Sequence, residues 1–140
     1  MNEFDRLNEL VKTTNTVDFR IQSYDAVNLI LTGSFDFCYY HEVEVTFHEV
    51  SYISLPADFS YPTLRKAAHE EIVRIAKFIT VNSEETVFCI EAETSSSLEK
   101  LPFYVVAEGI SLKEGIVFYY EREDLKEGER IAPWVGINSS

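Results

Sequence analysis

In HEVEVTFH, residues 41–48, Val43, Val45 and Phe47 alternate with Glu42, Glu44, Thr46 and His48. A period of two puts the apolar set on one face of a strand and the polar set on the other, so one face belongs to a core and the other to solvent or a partner. Val50 and Tyr52 break the phase, and Ile53 and Leu55 restore it. A bulge or tight turn near 48–51 is the expected cause of that slip.

Strand signals continue upstream. Val17, Phe19 and Ile21 alternate with Asp18, Arg20 and Gln22, and a second run spans Val27, Leu29 and Leu31. Thr32-Gly33-Ser34 reads as a hairpin turn leading into Phe35-Asp36-Phe37-Cys38-Tyr39-Tyr40. Before these, Phe4, Leu7, Leu10 and Val11 form one helical stripe over residues 2–13, with Asn2 placed to cap it and Glu3 and Asp5 in the first turn.

Downstream, Pro56 and Pro62 bracket an expected loop, PADFSYP. Leu64, Ala67, Ala68, Ile72, Ile75 and Ile79 then recur at helical spacing, which predicts a central helix over about 64–79, its second half being compatible with a strand as well. Val87 to Glu93 is a strand, Ser95-Ser96-Ser97 a loop, and Phe103–Ile110 and Ile116–Tyr120 are two further strands, with Gly109 near the end of the first. The expected fold is α+β and mainly antiparallel, with about seven strands curled into a sandwich or half-barrel beside an N-terminal and a central helix. The 140 residues are expected to form one globular domain, 1–140, with 136–140 a flexible tail. The lone Trp134 is expected to dock with Ile131 to Val135 over the N-terminal helix or the sheet edge, because a free tail would leave its ring in water.

The net charge is −12, and no lysine or arginine occurs between Arg20 and Arg65 or between Lys77 and Lys100. Arg65, Lys66, Arg74 and Lys77 form a basic island between those gaps. Such a balance weighs against nucleic acid, whose binding draws on Lys and Arg, and favours a cationic partner. No apolar run reaches membrane-spanning length, and MNEFDRLNEL lacks the basic and apolar regions of a signal peptide, so cytoplasmic residence is the expectation. Cys38 and Cys89 lie in apolar runs without CxxC spacing and are expected to be buried and reduced.

Several constellations carry possible chemistry. His41 and His48 with neighbouring acids have the donor types of a metal site, but opposite strand parity separates the two rings, and no metal or cofactor is expected. Glu91 and Glu93 share a strand face and, with His41, form the catalytic alternative as general acid and base. No GxSxG elbow or glycine-rich phosphate loop is present, and no cation adjoins either cysteine. The remaining candidate is an acidic, tyrosine-bearing recognition surface made of Glu42, Glu44, His48, Tyr39 and Tyr40.

HEVEVTFHEV, residues 41–50, resembles strands of small β-rich proteins, toxin-neutralising immunity proteins among them. The expectation is therefore a non-enzymatic interaction or accessory domain that binds a cationic protein, as an immunity-type inhibitor would. The alternative is a small enzyme or small-molecule-binding domain with a pocket on the concave sheet face. A deep pocket with converging polar groups separates the second from the first.

Overall fold

The alternating strands close on themselves. The computed structural model of the chain describes residues 2–136. It shows an α+β fold of two helices and seven strands: α1 (Glu3–Thr13), β1 (Asp18–Tyr24), β2 (Leu29–Ser34), β3 (Tyr40–Ser54), β4 (Asp58–Lys66), α2 (His69–Ile75), β5 (Thr86–Thr94), β6 (Ser97–Phe118) and β7 (Arg130–Ile131). The sheet order is β3-β2-β1-β4-β5-β6-β7, and β6 also pairs with β3. Six antiparallel strands thus form a closed, ring-like sandwich rather than a half-barrel, and β7 adds a short parallel pairing.

Closure depends on the long β6. Tyr104 pairs with Cys89 of β5 on one side and with Ser54 of β3 on the other, while Ala107 pairs with Thr86 and Val50. The sequence reading that split β6 at Gly109 is corrected: both of its runs belong to one continuous strand. Ser97 likewise begins β6, opposite Thr94, instead of lying in a loop. The phase slip in β3 is a bulge between Val50 and Tyr52, with Glu49 at φ 53°.

Inside the ring, Phe19, Leu31, Val43, Val45, Phe47 and Phe88 meet the stripe of α1, whose Leu7 is buried. Phe88 lies 5.2 Å from Phe47 and 5.8 Å from Phe4, ring centre to ring centre. The space left among Leu7, Phe19, Leu31, Val45, Phe47 and Phe59 is about 10 Å³. Asn2 caps α1 by accepting the Asp5 N–H at 2.9 Å. β1 pairs with β4 only from Asp18 to Arg20. Beyond that, Asn8 of α1 stands in for the missing strand: its side chain accepts the Leu64 N–H (2.8 Å) and donates to the Leu64 carbonyl (3.0 Å).

Gly33 lies within β2 and not in a turn, correcting the hairpin expected at Thr32-Gly33-Ser34. A Cβ there would stand 2.5 Å from the Phe19 ring and 2.8 Å from Val43 Cγ1, so glycine is what lets Phe19 cross the strand. The reversal comes later, where the Asp36 carbonyl accepts the N–H groups of Tyr39 and Tyr40 and its carboxylate accepts that of Cys38. Cys38 is consequently exposed, against the expectation of burial, whereas Cys89 is buried, and both are free thiols.

The central helix is shorter than its apolar spacing suggested. Leu64, Arg65 and Lys66 belong to β4, paired with Ile90, Cys89 and Phe88, and PADFSYP is partly strand with an irregularity around Tyr61 and Pro62. α2 places Ile72 and Ile75 over Val87, Cys89, Tyr104 and Val106 on the outside of the ring. Glu71 fastens it there, accepting from Arg65 (2.7 Å), the Ala68 N–H (2.7 Å) and the Tyr104 hydroxyl.

Candidate functional site

A cleft with several polar side chains in its lining lies on the outer face of β1–β3, and a β-bulge shapes it. Between His41 and Val43 the register against β6 shifts, with His41 opposite Val117 and Val43 opposite Glu114. The shift takes His41 out of the phase of Val43, and its ring comes to lie beside Glu44 instead of in the core. Gly115 in the opposing bulge has φ +128°, and a Cβ there would stand 2.6 Å from the Gly128 carbonyl oxygen. The C-terminal segment then crosses this face as a strap. Arg130 and Ile131 pair with Val117 and Phe118, the Ala132 N–H donates to the Phe118 carbonyl at 2.8 Å, and the Trp134 ring packs 5.3 Å from that of Tyr119.

The strap docks at the sheet edge, one of the two places expected for Ile131 to Val135, with Ala132 buried, but the Trp134 ring, expected to be covered, stays 43 % exposed. The expected flexible tail at 136–140 falls, past Gly136, outside the described residues. Strap and sheet border an open cleft of about 360 Å³. It is lined by the polar residues Gln22, Ser23, Thr32, His41, Glu44 and Arg130 together with the apolar Ile30, Val117, Ile131, Pro133 and Trp134.

Electrostatics fix these polar walls. His41 is 3 % exposed and uses both ring nitrogens, Nε2 with Glu44 Oε2 at 2.8 Å and Nδ1 with the Tyr119 hydroxyl at 2.7 Å. A carboxylate only accepts, so Nε2 carries the hydrogen, and in the neutral ring Nδ1 accepts the Tyr119 proton. Arg130 donates to the same Glu44 oxygen at 2.9 Å. The His41 hydrogen bond and the Arg130 charge and hydrogen bond, set against burial, hold the Glu44 carboxyl down at about 2. Burial pushes the Tyr119 hydroxyl up, and Arg20, 3.5 Å from its oxygen, pulls the other way. Arg20 itself lies 4.2 Å above the Phe37 ring.

The other residues singled out in the sequence are spread around the ring. Glu42 accepts from the Thr16 hydroxyl and from the Phe35 N–H, and His48 meets the Ser111 hydroxyl at 2.8 Å. Glu42 and Glu44 are thus both engaged within the chain. Glu91 is paired with Arg65 at 2.9 Å, and Glu93 lines a groove with Lys12 and Lys100, so neither adjoins His41. Tyr40 packs edge-on against Phe118, and Tyr39 stands exposed. Among the described residues no group of three or more His, Cys, Asp or Glu is placed to hold a metal ion, and no helix is long and apolar enough to cross a membrane.

Gln22, Thr32 and Arg130 escaped the sequence reading. Arg130 stands in a charged run, EREDLKEGER, where nothing local distinguishes it from its neighbours. Trp134, the only tryptophan, was a legible pointer to this face, as were His41 and Glu44. No protein-family model, curated protein or solved structure matches the chain.

Proposed function

We propose that this chain is a non-enzymatic binding domain that holds a small, uncharged polar molecule between the outer face of β1–β3 and the C-terminal strap. The observation that carries the reading is the cavity of about 360 Å³ lined by one amide, two hydroxyls, an imidazole, a carboxylate and a guanidinium together with an indole. That size sits near the lower end of ligand sites, roughly 300–1,000 Å³, and the mix of a few polar groups with apolar walls is their usual composition. Glu44 and Arg130 offset each other's charge, which favours an uncharged ligand. Trp134 offers a flat apolar surface to one side of it.

Binding is favoured over catalysis for two reasons. Both nitrogens of His41 are engaged within the chain by Glu44 and the Tyr119 hydroxyl, so proton transfer between the ring and a ligand would require the Tyr119 hydrogen bond to be exchanged. A carboxyl held at about 2 is a weak base near neutral pH, where general catalysis favours groups matched to the working pH.

Trp134 makes the test direct, since its emission reports on this cavity alone. Titration with uncharged nucleobases, nucleosides and monosaccharides should identify a class that changes that emission and raises the melting temperature. Gln22→Leu should abolish the response. If no compound in the panel alters Trp134 emission, or if Gln22→Leu responds as the wild type does, the reading is wrong.

A further inference from the structure

A second surface lies at the end of the ring where the 35–39 turn meets the end of β6. The Tyr119 N–H donates to the Tyr39 carbonyl at 2.8 Å, which holds these two segments together. Their aromatic side chains form a continuous ladder. Tyr39 meets Tyr120 edge-on at 6.4 Å, Tyr120 meets Phe118 at 5.5 Å, and Phe118 meets Tyr40 at 6.5 Å. Much of it is open to water, with Tyr39 58 % and Tyr120 43 % exposed, and Phe35, at the start of the turn, is 58 % exposed as well. A run of exposed aromatic rings on one end of a small protein is uncommon unless something covers it.

We infer that this end is an interaction surface for a protein segment presenting arginine or lysine side chains. Charge selects that occupant. Glu121, Glu123 and Asp124 are exposed along the segment that leaves β6, and Asp36 sits in the turn. Arg122, the one cation of that segment before Lys126, is held to Asp124 at 3.3 Å. The rings also show their appetite for guanidinium within the chain itself. Arg122 lies 4.3 Å above Phe118, and Arg20 lies 4.2 Å above Phe37. Among the described residues, Tyr39 and Phe35 have no such cation over them, and they stand furthest into solvent. A basic segment laid across them would gain cation–π contact from the rings and attraction from the acidic rim. Tyrosine suits this role because its hydroxyl stays wet while its ring is covered.

The surface is separate from the cavity, whose lining includes none of Phe35, Tyr39 or Tyr120. Its test therefore stands or falls independently of the small-molecule reading.

The experiment is an anisotropy titration at low salt with a fluorescein-labelled peptide of alternating arginine and serine. The wild type should bind it, and Tyr39→Ser with Tyr120→Ser should weaken binding about tenfold or more at unchanged net charge. Tyr39→Phe with Tyr120→Phe keeps the rings and should retain the affinity, which separates lost contact from a damaged fold. Glu84→Gln with Glu85→Gln, remote in sequence, should have little effect beyond that of net charge. No binding by the wild type would overturn the inference. So would equal binding by the serine pair, loss of binding in the phenylalanine pair, or a weakening by the remote pair as large as that of the serine pair. Concentration-dependent dimerisation abolished by the serine pair would assign the surface to a second copy of the chain instead.

Discussion

Glu44 and Glu71 keep their charge in the folded chain down to about pH 2, Glu44 through His41 and Arg130, Glu71 through Arg65 and the Tyr104 hydroxyl. In the unfolded chain each would take up a proton near the ordinary glutamate value, about 4.3. Between those two pH values the unfolded state binds more protons, so stability rises with pH there and is fully present above about pH 5. Both side chains are mostly covered, and the loss on acidification is on the order of 2 kcal/mol apiece. Denaturant melts at a series of pH values should show a plateau above about pH 5 and a steep fall towards pH 2. Glu71→Gln should lower the plateau and flatten the fall, because an amide no longer titrates and leaves Arg65 with a weaker partner. A Glu71→Gln slope equal to that of the wild type would assign the acid sensitivity to other carboxylates.

At the level of elements, the phase of each strand decides what it contributes. β3 serves two faces because its two bulges change which residues point inward. Val43, Val45 and Phe47 fill the ring, while His41 and Glu44 furnish the cavity outside. β2 and β1 approach closely where Gly33 lies under Phe19. Gly33→Ala should therefore be destabilising by about 1–3 kcal/mol, since a methyl 2.5 Å from the ring forces Phe19 off its position in a packed interior. Chemical denaturation would measure it directly, and a change within about 0.5 kcal/mol would mean that the ring moves aside freely. The Thr32-Gly33-Ser34 triplet looks like a turn in the sequence because glycine marks both turns and close approaches, and only the neighbouring strand distinguishes them. The false helical start at Leu64 has a similar origin. Its three-residue step to Ala67 imitates a helix, yet Leu64 is held in β4 by Ile90 on one side and Asn8 on the other.

For the whole molecule, closure packs the core side chains inside the ring, and the cleft beside the C-terminal strap lies on its outside. α2 covers one part of the exterior and the C-terminal strap another. The strap contributes a buried Ala132, the parallel pairing of β7 and the Trp134–Tyr119 contact. Truncation after Arg130 should lower the melting temperature by roughly 5 °C or more, at about 4 °C per kcal/mol for a chain of this size. It should also open the cavity and expose Val117. An unchanged melting temperature would mean that the strap rests on the sheet without stabilising it, and would leave Trp134 as an anchor for a partner.

The sequence by itself determined the secondary-structure class, the capped N-terminal helix, the alternating core face of β3 with its slip near Glu49, and the docking of the segment around Trp134. These are local matters: periodicity, capping chemistry and the exposure of one large ring are written in neighbouring residues. Only the tertiary structure decided that β6 is a single strand long enough to pair with both β5 and β3, and so that the sheet closes. It alone brought Gln22, Thr32, His41, Glu44 and Arg130 to one cavity, from four strands as much as 108 positions apart. Pairing partners are chosen by complementary packing across long loops, and the bulge that turns His41 outward depends on Gly115 and the strand opposite. Neither leaves a mark in the residues adjacent to it.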